Sequence, residues 1–185
     1  VRLTRLDRID SRGAAIAGFA DVRLDSGAVL GPIDGGLPLL EAALDHARAV
    51  LAAEMLGSAL QAFETTIEYL KTRIQFDRPI GSFQALQHRA ADMFGQLEMT
   101  RSAVMAALAA IDARDPDVPR LASLAKALAG KTFRKVAQEM VQLHGGIGMT
   151  DEHDAGLYLK RAQATDMALG NVAYHRERYA RLSGY

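Results

Sequence analysis

A helical period runs through the sequence from about residue 37 to about residue 180, broken only by short polar or glycine-rich segments. Apolar residues recur at steps of three and four, which is the pattern of helices that bury one face. The breaks predict four long helices, at about 37–75, 80–113, 120–144 and 151–180. Long helices with short connections pack readily as an antiparallel bundle. The predicted fold class is therefore mainly α, an antiparallel four-helix bundle.

The first predicted helix carries a single apolar stripe, which is expected to face the core. The stripe consists of Leu40, Ala43, Leu44, Ala47, Val50, Leu51 and Met55. Gly57 interrupts this helix at a cost of about 1 kcal/mol relative to alanine, so we expect another helix to cross closely there. Ser82 is the expected N-cap of the second helix, and Gly145-Gly146 is the expected stop of the third.

Residues 1–35 follow a different pattern. Apolar and polar residues alternate at residues 1–4 and 21–24, and this period of two predicts strands. Because two strands rarely form a stable sheet alone, they are expected to complete a sheet whose other strands lie outside this chain. The predicted domains are therefore residues 1–35, a short β-strand remnant that ends a β domain and includes a linker, and residues 36–185, the helical bundle. The chain is expected to be part of a larger protein.

The composition excludes several classes of function. The 22 Lys+Arg residues balance 22 Asp+Glu residues, so nothing predicts a nucleic-acid or membrane-surface partner, both of which usually need a basic patch. The chain has no cysteine, which excludes disulfides and thiolate chemistry and agrees with a cytoplasmic location. Its five histidines are not spaced as metal ligands on one helix face, so no metal site is predicted.

Two segments carry more chemistry than a helix connection needs. The segment Arg73–Gln84 joins two predicted helices, and the Arg73 guanidinium is suited to bidentate bonds with phosphate oxygens. A cation at this place is also favoured simply by the helix dipole. The segment Gln142–Gly148 has three glycines in four positions, which lets a backbone approach another group closely. A plain helix stop explains the first of these glycines better than the other two.

The two segments, Arg73-x-x-Phe76…Phe83-Gln84 and Gln142-x-x-Gly145-Gly146-x-Gly148, resemble parts of the C-terminal helical domain of the acyl-CoA dehydrogenase family of flavoenzymes. The resemblance covers nearly all of the chain, beginning with the strands that end the family's middle β domain. It implies FAD-dependent α,β-dehydrogenation of an acyl-CoA thioester, with electron-transfer flavoprotein as the acceptor. It also implies an oligomer of like or unlike chains, since the family shares its flavin sites between subunits.

The resemblance further implies which residues contact the ligands. They are Arg73, Phe76 and Gln84 on the pyrophosphate and adenosine side of a FAD held mainly by the neighbouring subunit, and Gln142, Gly145 and Gly146 against its adenine-ribitol portion. Asp77 departs from the family's usual glycine, and an acid there is unfavourable unless it points away or pairs, for example with Arg78. Arg48 matches a family arginine near the reactive carbons and is the predicted substrate-pocket residue.

The catalytic residue of the family has no counterpart in this sequence. Dehydrogenation needs a carboxylate to take the α-proton while hydride leaves the β-carbon for the flavin. The family glutamate lies in a Glu-Gly-Thr turn, where this chain has Leu169-Gly170-Asn171, or one residue before the helix arginine, where it has Ala47. Neither leucine nor alanine takes a proton, so no catalytic residue is predicted. Asn171, in the place of threonine, is a predicted flavin contact.

Three interpretations of the missing glutamate stay open. The chain is a non-catalytic subunit that pairs with a catalytic paralogue, or a nearby acid replaces the glutamate, or the alignment of the turn is shifted. The candidate acids are Asp45, Glu54 and Asp166, although surface charge or a helix–helix salt bridge is the favoured role for each. Two non-redox alternatives are a structural partner subunit and a helical interaction module, and the module ranks last because it does not explain the two motifs.

Overall fold

The computed structural model describes residues 1–185. The chain begins with an antiparallel hairpin of two strands, β1 (Arg2–Leu6) and β2 (Ala14–Gly18). Thr4 lies opposite Ile16 at the centre of the pairing. No residue of either strand is buried, so the hairpin brings no core of its own.

The hairpin is tied to the helices through its loop. The Asp10 carboxylate in that loop accepts a hydrogen bond of 2.6 Å from Arg161. The strand predicted at residues 21–24 is wrong, because these residues are irregular. A strand needs a neighbour for its backbone hydrogen bonds, and β1 pairs only with β2 in this chain.

Five α-helices follow the hairpin. They are α1 (Gly36–Thr72), α2 (Gln84–Ala113), α3 (Val118–His144), α4 (Ala155–Met167) and α5 (Val172–Leu182). The mainly helical fold class is confirmed, and the first three helices lie within a few residues of their predicted limits. The fourth predicted helix is wrong as a continuous element. It breaks between α4 and α5, where Leu169 and Gly170 have φ values of 59° and 103° that an α-helix does not adopt.

A small hairpin connects α1 to α2. Its strands are β3 (Ile74–Gln75) and β4 (Arg78–Pro79), which pair in antiparallel order. Gly81 follows so close to α1 that a Cβ there would lie 2.8 Å from the carbonyl oxygen of Leu70. The prediction of Ser82 as an N-cap is wrong, because its hydroxyl donates to the Pro79 oxygen at 2.8 Å. The α2 helix begins two residues later without a side-chain cap.

The central helix of the bundle is α3, which contacts each of the other four helices. Alanine dominates the buried positions, so the helices approach one another closely. The largest fully buried apolar side chains are Phe133, Met55, Met93, Leu97 and Met140. The α3 helix also buries a lysine, Lys126, among these apolar residues. None of the helices combines the length and the hydropathy that crossing a bilayer requires.

The predicted core face of α1 is wrong over the first half of the helix. Leu40 is 56% exposed and Val50 61% exposed, and Ala43 and Ala47 are exposed as well. The positions that are buried instead are Asp45, Arg48, Ala49 and Ala52. In the first half of α1, the inward face therefore carries an ion network with α5. The close crossing expected at Gly57 is also absent, because a Cβ there would meet nothing within 4 Å.

Candidate functional site

An open cleft of about 330 Å³ lies where the end of α1, the β3–β4 hairpin and the end of α3 meet. Its lining includes Arg73 together with Gln142, Gly145 and Gly146. Four of the residues predicted to bind cofactor are therefore brought together from two distant parts of the sequence. Their roles as cofactor ligands stay predictions.

Arg73 supplies an uncompensated positive charge to this cleft. It directly follows α1, and its backbone N–H donates to the Tyr69 carbonyl at 2.9 Å. Its side chain is exposed and has no ion-pair partner in the chain. The other arginine of the cleft, Arg89, is instead neutralised by Glu139 at 2.6 Å. A free guanidinium in such a place suits an anionic ligand with paired oxygens, such as a phosphate.

The glycines that follow α3 serve different purposes. Gly145 has a φ of 63°, which favours glycine as the residue that ends a helix. At Gly148 a Cβ would lie 2.6 Å from the Val141 oxygen, so packing excludes a side chain there. At Gly146 a Cβ would meet nothing within 4 Å, and the same holds for Gly145. The backbone at these two positions is therefore open to a ligand in the cleft.

His144 also borders the cleft and is not among the site residues predicted from the sequence. Its ring is buried between Tyr69 and His153, with ring centres 4.3 Å and 4.2 Å away. Its Nδ1 donates to the Met140 carbonyl at 2.7 Å. Burial lowers the pKa of His144, so the neutral ring keeps Nε2 as an acceptor, and that atom has no partner in the chain.

Phe76 and Gln84, also predicted to contact the cofactor, lie outside the lining of this cleft. Phe76 is 85% exposed at the tip of the β3–β4 hairpin and packs edge-to-face on Phe83. Phe76 and Asp77 have φ values of 54° and 61°, the geometry of a two-residue type I′ turn, which explains why glycine also suits position 77. Asp77 forms no ion pair with the neighbouring Arg78. Gln84 is exposed at the start of α2.

A second group of predicted residues meets at Ala168–Asn171, which we call the α4–α5 turn. Arg48 contacts this turn, and Arg73 lies roughly 37 Å further along α1 at 1.5 Å per residue. The two regions are therefore separate on one chain. Leu169 has a positive φ of 59°, which is rare for a bulky side chain and persists only where the surroundings impose it.

Three side chains hold the backbone of the α4–α5 turn. The Leu169 carbonyl accepts a hydrogen bond from Nε2 of His175 at 3.0 Å and from Nε of Arg48 at 3.4 Å. The Gly170 carbonyl accepts one from Nζ of Lys126 at 2.9 Å. The donors come from α5, α1 and α3, so the conformation of the turn depends on tertiary packing rather than on local sequence.

Arg48 belongs to a buried ion network between α1 and α5. It donates to Asp45 at 2.7 Å and to Glu41 at 3.2 Å. Arg178 donates to the same two carboxylates, at 2.8 Å and 3.3 Å. Two arginines and two acids therefore neutralise one another, and the guanidinium of Arg48 is oriented towards the α4–α5 turn.

None of the candidate acids is free to replace the missing glutamate. Asp45 is bound by both arginines of the network just described. Glu54 accepts a hydrogen bond from Arg161 at 2.8 Å, and Asp166 accepts one from the backbone N–H of Val172 at 3.3 Å. Each carboxylate has a structural partner, which supports a structural role rather than a catalytic one. Leu169 is half-buried and Ala47 exposed, and neither side chain takes a proton.

Asn171 is the N-cap residue of α5. Its Oδ1 accepts a hydrogen bond from the backbone N–H of Tyr174 at 3.0 Å, which is the geometry of an N-cap. The side-chain oxygen is therefore engaged in capping, whereas the amide nitrogen has no partner in the chain and is available for the predicted flavin contact. That contact stays a prediction.

Two buried residues at the turn escaped the sequence prediction. Burial lowers the pKa of Lys126 to about 8, although Asp166 opposes the shift. Burial also lowers the pKa of His175 to about 4. A signal for Lys126 was present, because this lysine interrupts the alanine-rich stripe formed by Ala122, Ala125 and Ala129. The partner carbonyls, of Asp166 and Gly170, lie some forty residues downstream, a separation that local sequence patterns do not bridge.

Comparisons with known protein sequences point to a single family. The model of the family described as "Acyl-CoA dehydrogenase, C-terminal domain" matches residues 34–183. Acyl-CoA dehydrogenase IpdE2 of Mycobacterium tuberculosis is 45% identical over 125 residues, which are 68% of this chain and 37% of that protein.

Solved structures agree with this assignment. Butyryl-CoA dehydrogenase from Megasphaera elsdenii superposes with a TM-score of 0.93 at 27% identity, over 97% of this chain and 47% of that one. The ChsE4–ChsE5 complex from Mycobacterium tuberculosis superposes with a TM-score of 0.88 at 28% identity, over 100% of this chain and 49% of that one. The present chain thus spans about half the length of these chains or less.

Proposed function

Because the chain belongs to the acyl-CoA dehydrogenase family, we propose that it is part of a FAD-dependent oxidoreductase that introduces an α,β double bond into an acyl-CoA thioester. In this proposal the chain supplies the C-terminal helical bundle, an oligomer interface and contacts to a FAD held mainly by a neighbouring subunit. Electron-transfer flavoprotein is the proposed acceptor, by resemblance to the family.

The observation that carries the proposal is the cleft lined both by Arg73, whose guanidinium has no partner in the chain, and by the open backbone of Gly145 and Gly146. Its residues fit a dinucleotide, since a guanidinium binds pyrophosphate oxygens and side-chain-free backbone allows close approach. Gln142 adds an exposed amide beside them. When bound, FAD supplies the hydride acceptor of the reaction. The residues of this chain bind and orient it.

The proposal places proton removal outside this chain. Taking the α-proton requires a carboxylate within hydrogen-bond reach, whereas the two positions that carry it in the family hold Leu169 and Ala47. We therefore propose a hetero-oligomer in which a catalytic paralogue supplies the base. In support, the structurally similar ChsE4–ChsE5 assembly is by its name a complex of two different proteins.

A second candidate function is a structural partner subunit without a redox role. The absence of a base at Leu169 and Ala47 favours it. The helical interaction module is weaker, because it leaves the cleft around Arg73 unexplained. The two stronger candidates differ in flavin binding, which only the first requires.

The visible spectrum of the full protein that contains this chain, purified alone and with a co-encoded paralogue, tests the proposal. We expect bound flavin only with the paralogue, and bleaching of that flavin by acyl-CoA. In Arg73→Ala the flavin affinity should fall about 10- to 100-fold, as expected for a lost charge-assisted contact, while the matched exposed arginine variant Arg176→Ala keeps it.

Other outcomes are decisive as well. Bleaching of the flavin by acyl-CoA in the protein purified alone would contradict the proposal that this chain lacks a catalytic base. No flavin in either preparation would overturn the cofactor proposal and favour the structural subunit. Equal flavin affinity in Arg73→Ala and Arg176→Ala would show that the cleft does not bind the flavin.

A further inference from the structure

We propose that Lys126 is a positioning residue, whose ammonium group fixes the α4–α5 turn so that residue 169 and Asn171 face the bound ligands correctly. This inference rests on the proposed function, because the turn lies beside Arg48 on the predicted substrate side. It assigns a role to Lys126, which belongs neither to the predicted cofactor contacts nor to the ion network of Arg48 and Arg178.

The geometry of Lys126 points to the turn. Its side chain lies wholly buried in α3, and Nζ donates to the carbonyl oxygens of Gly170 at 2.9 Å and Asp166 at 3.2 Å. These carbonyls belong to the last turn of α4 and to the α4–α5 turn, where a helix end leaves acceptors without partners. One side chain from the central helix therefore replaces the hydrogen bonds lost where α4 ends.

Burying a charged lysine at this position is unfavourable in itself. Burial disfavours the ammonium, which lowers the pKa of Lys126 to about 8, and Asp166 offsets this only in part. A second unfavourable feature lies one residue from its target, since Leu169 has a φ of 59°. A buried charge and a strained backbone at the same turn are the features that proteins retain at functional sites.

The consequence for function follows from what the turn carries. Residue 169 occupies the family's base position, and Asn171 both caps α5 and is a predicted flavin contact. Even without a base, the turn shapes the wall of the ligand site. Freeing the Gly170 carbonyl would let the strained Leu169 relax, and the wall would move.

Amide hydrogen exchange of the full protein tests this role without any bound flavin. In Lys126→Met, which keeps the side-chain length but removes charge and donors, exchange over residues 166–172 should rise about tenfold or more. Lys131→Met is the matched control, because Lys131 is an exposed lysine of the same helix. Together with the paralogue, Lys126→Met should also weaken the change in flavin absorption caused by a non-oxidisable CoA thioester, with flavin content unchanged.

The outcomes separate this inference from the proposed function. Unchanged exchange at the turn in Lys126→Met, or an unchanged response to the CoA thioester, would overturn the positioning role. Raised exchange in a protein that never binds flavin would overturn the proposed function and support Lys126 as the residue that holds the turn.

If Lys126→Met does not fold, hydrogen exchange in the wild-type protein tests the positioning role instead. Exchange at the turn, corrected for its intrinsic pH dependence, should rise between pH 7 and 9 as Lys126 loses its proton. The titratable groups that face Lys126 are Asp166 from α4 and His175 from α5. His175, with a pKa of about 4, does not titrate in this range. A flat corrected exchange rate would contradict the inference.

Discussion

The cleft at Arg73 and the α4–α5 turn are held in opposite ways. In the cleft, Arg73, Gln142 and Gly146 are exposed, and the guanidinium of Arg73 has no partner in the chain. At the turn, Lys126 and His175 are wholly buried and donate to backbone carbonyls. The cleft is open to a ligand from outside, whereas the turn is fixed from within.

The difference separates binding from positioning on a single chain. The side chains of Arg73 and Gln142 are exposed and make no side-chain hydrogen bonds in the chain, so replacing them should change ligand affinity with little change in the free energy of unfolding. Residues around the turn are part of the packed interior, so replacing them should change both stability and geometry. The buried side chains hold the turn in place although residue 169, the proposed counterpart of the family's catalytic glutamate, is a leucine.

The largest expected effect comes from placing a carboxylate on the turn. In Leu169→Glu, with flavin and paralogue present, α-proton exchange of acyl-CoA at this chain's own site should rise by about 10²- to 10⁴-fold, the usual contribution of a general base. Deuterium wash-in at the α-carbon, followed by mass spectrometry, measures it. Leu169→Gln has the same size as the glutamate variant and no base. Equal rates in the two variants would show that the turn no longer borders a substrate site.

Removing Asp45 should cause the largest loss of stability. Asp45→Ala leaves Arg48 and Arg178 buried with only the partly exposed Glu41 as a shared carboxylate, which costs about 3–5 kcal/mol. Chemical denaturation of the full protein measures the change, and Asp151→Ala, at an exposed acid, is the control. A loss below about 1 kcal/mol, typical of a surface ion pair, would mean that water reaches the network and that the turn is less enclosed than its contacts indicate.

The same contrast explains what the sequence could predict. The cleft follows from local motifs, since Arg73 ends one helix and Gly145 ends another, and both helix ends were placed within a few residues. The turn depends on Lys126, His175 and Arg48, which lie far apart in sequence. The helical periodicity therefore missed the break between α4 and α5, which no proline marks, although the resemblance implies a turn at residues 169–171.

The misplaced core face of α1 has a related cause. Apolar residues such as Leu40 and Val50 were assigned to the core because apolar stripes usually face inward. The inward positions instead hold Asp45 and Arg48, whose burial is possible only with Arg178 from α5. A local pattern does not reveal a partner of this kind, so the outward apolar face was mistaken for the inward one.

Acid should destabilise the turn through His175. The pKa of His175 is lowered to about 4 from about 6.5 in an unfolded chain. Between these values the unfolded state binds the proton that the folded state excludes, so stability falls as the pH drops from 6.5 to 4. The loss is up to about 3 kcal/mol, reduced by solvent screening.

Unfolding free energies at pH 7 and pH 4.5 measure this effect. His144 has a lowered pKa as well and shifts stability in the same direction, so wild type must be compared with His175→Gln. The variant keeps an amide donor near the Leu169 carbonyl and should lose less stability between the two pH values. Identical pH dependence in both proteins would mean that His175 is not the buried neutral group described here.

The smallest expected effect distinguishes the two roles of Asn171. Its Oδ1 caps α5 through the Tyr174 N–H at 3.0 Å, so Asn171→Ala should lower the free energy of unfolding by about 1 kcal/mol. Asn171→Ser retains a capping oxygen and lacks the amide nitrogen, so it should keep stability. If flavin absorption in the assembled protein changes in the serine variant, the amide nitrogen contacts the ligand, and the turn is a binding surface as well as a fixed one. If only the alanine variant differs from wild type, Asn171 acts on the helix alone, and ligand binding by this chain is confined to the cleft.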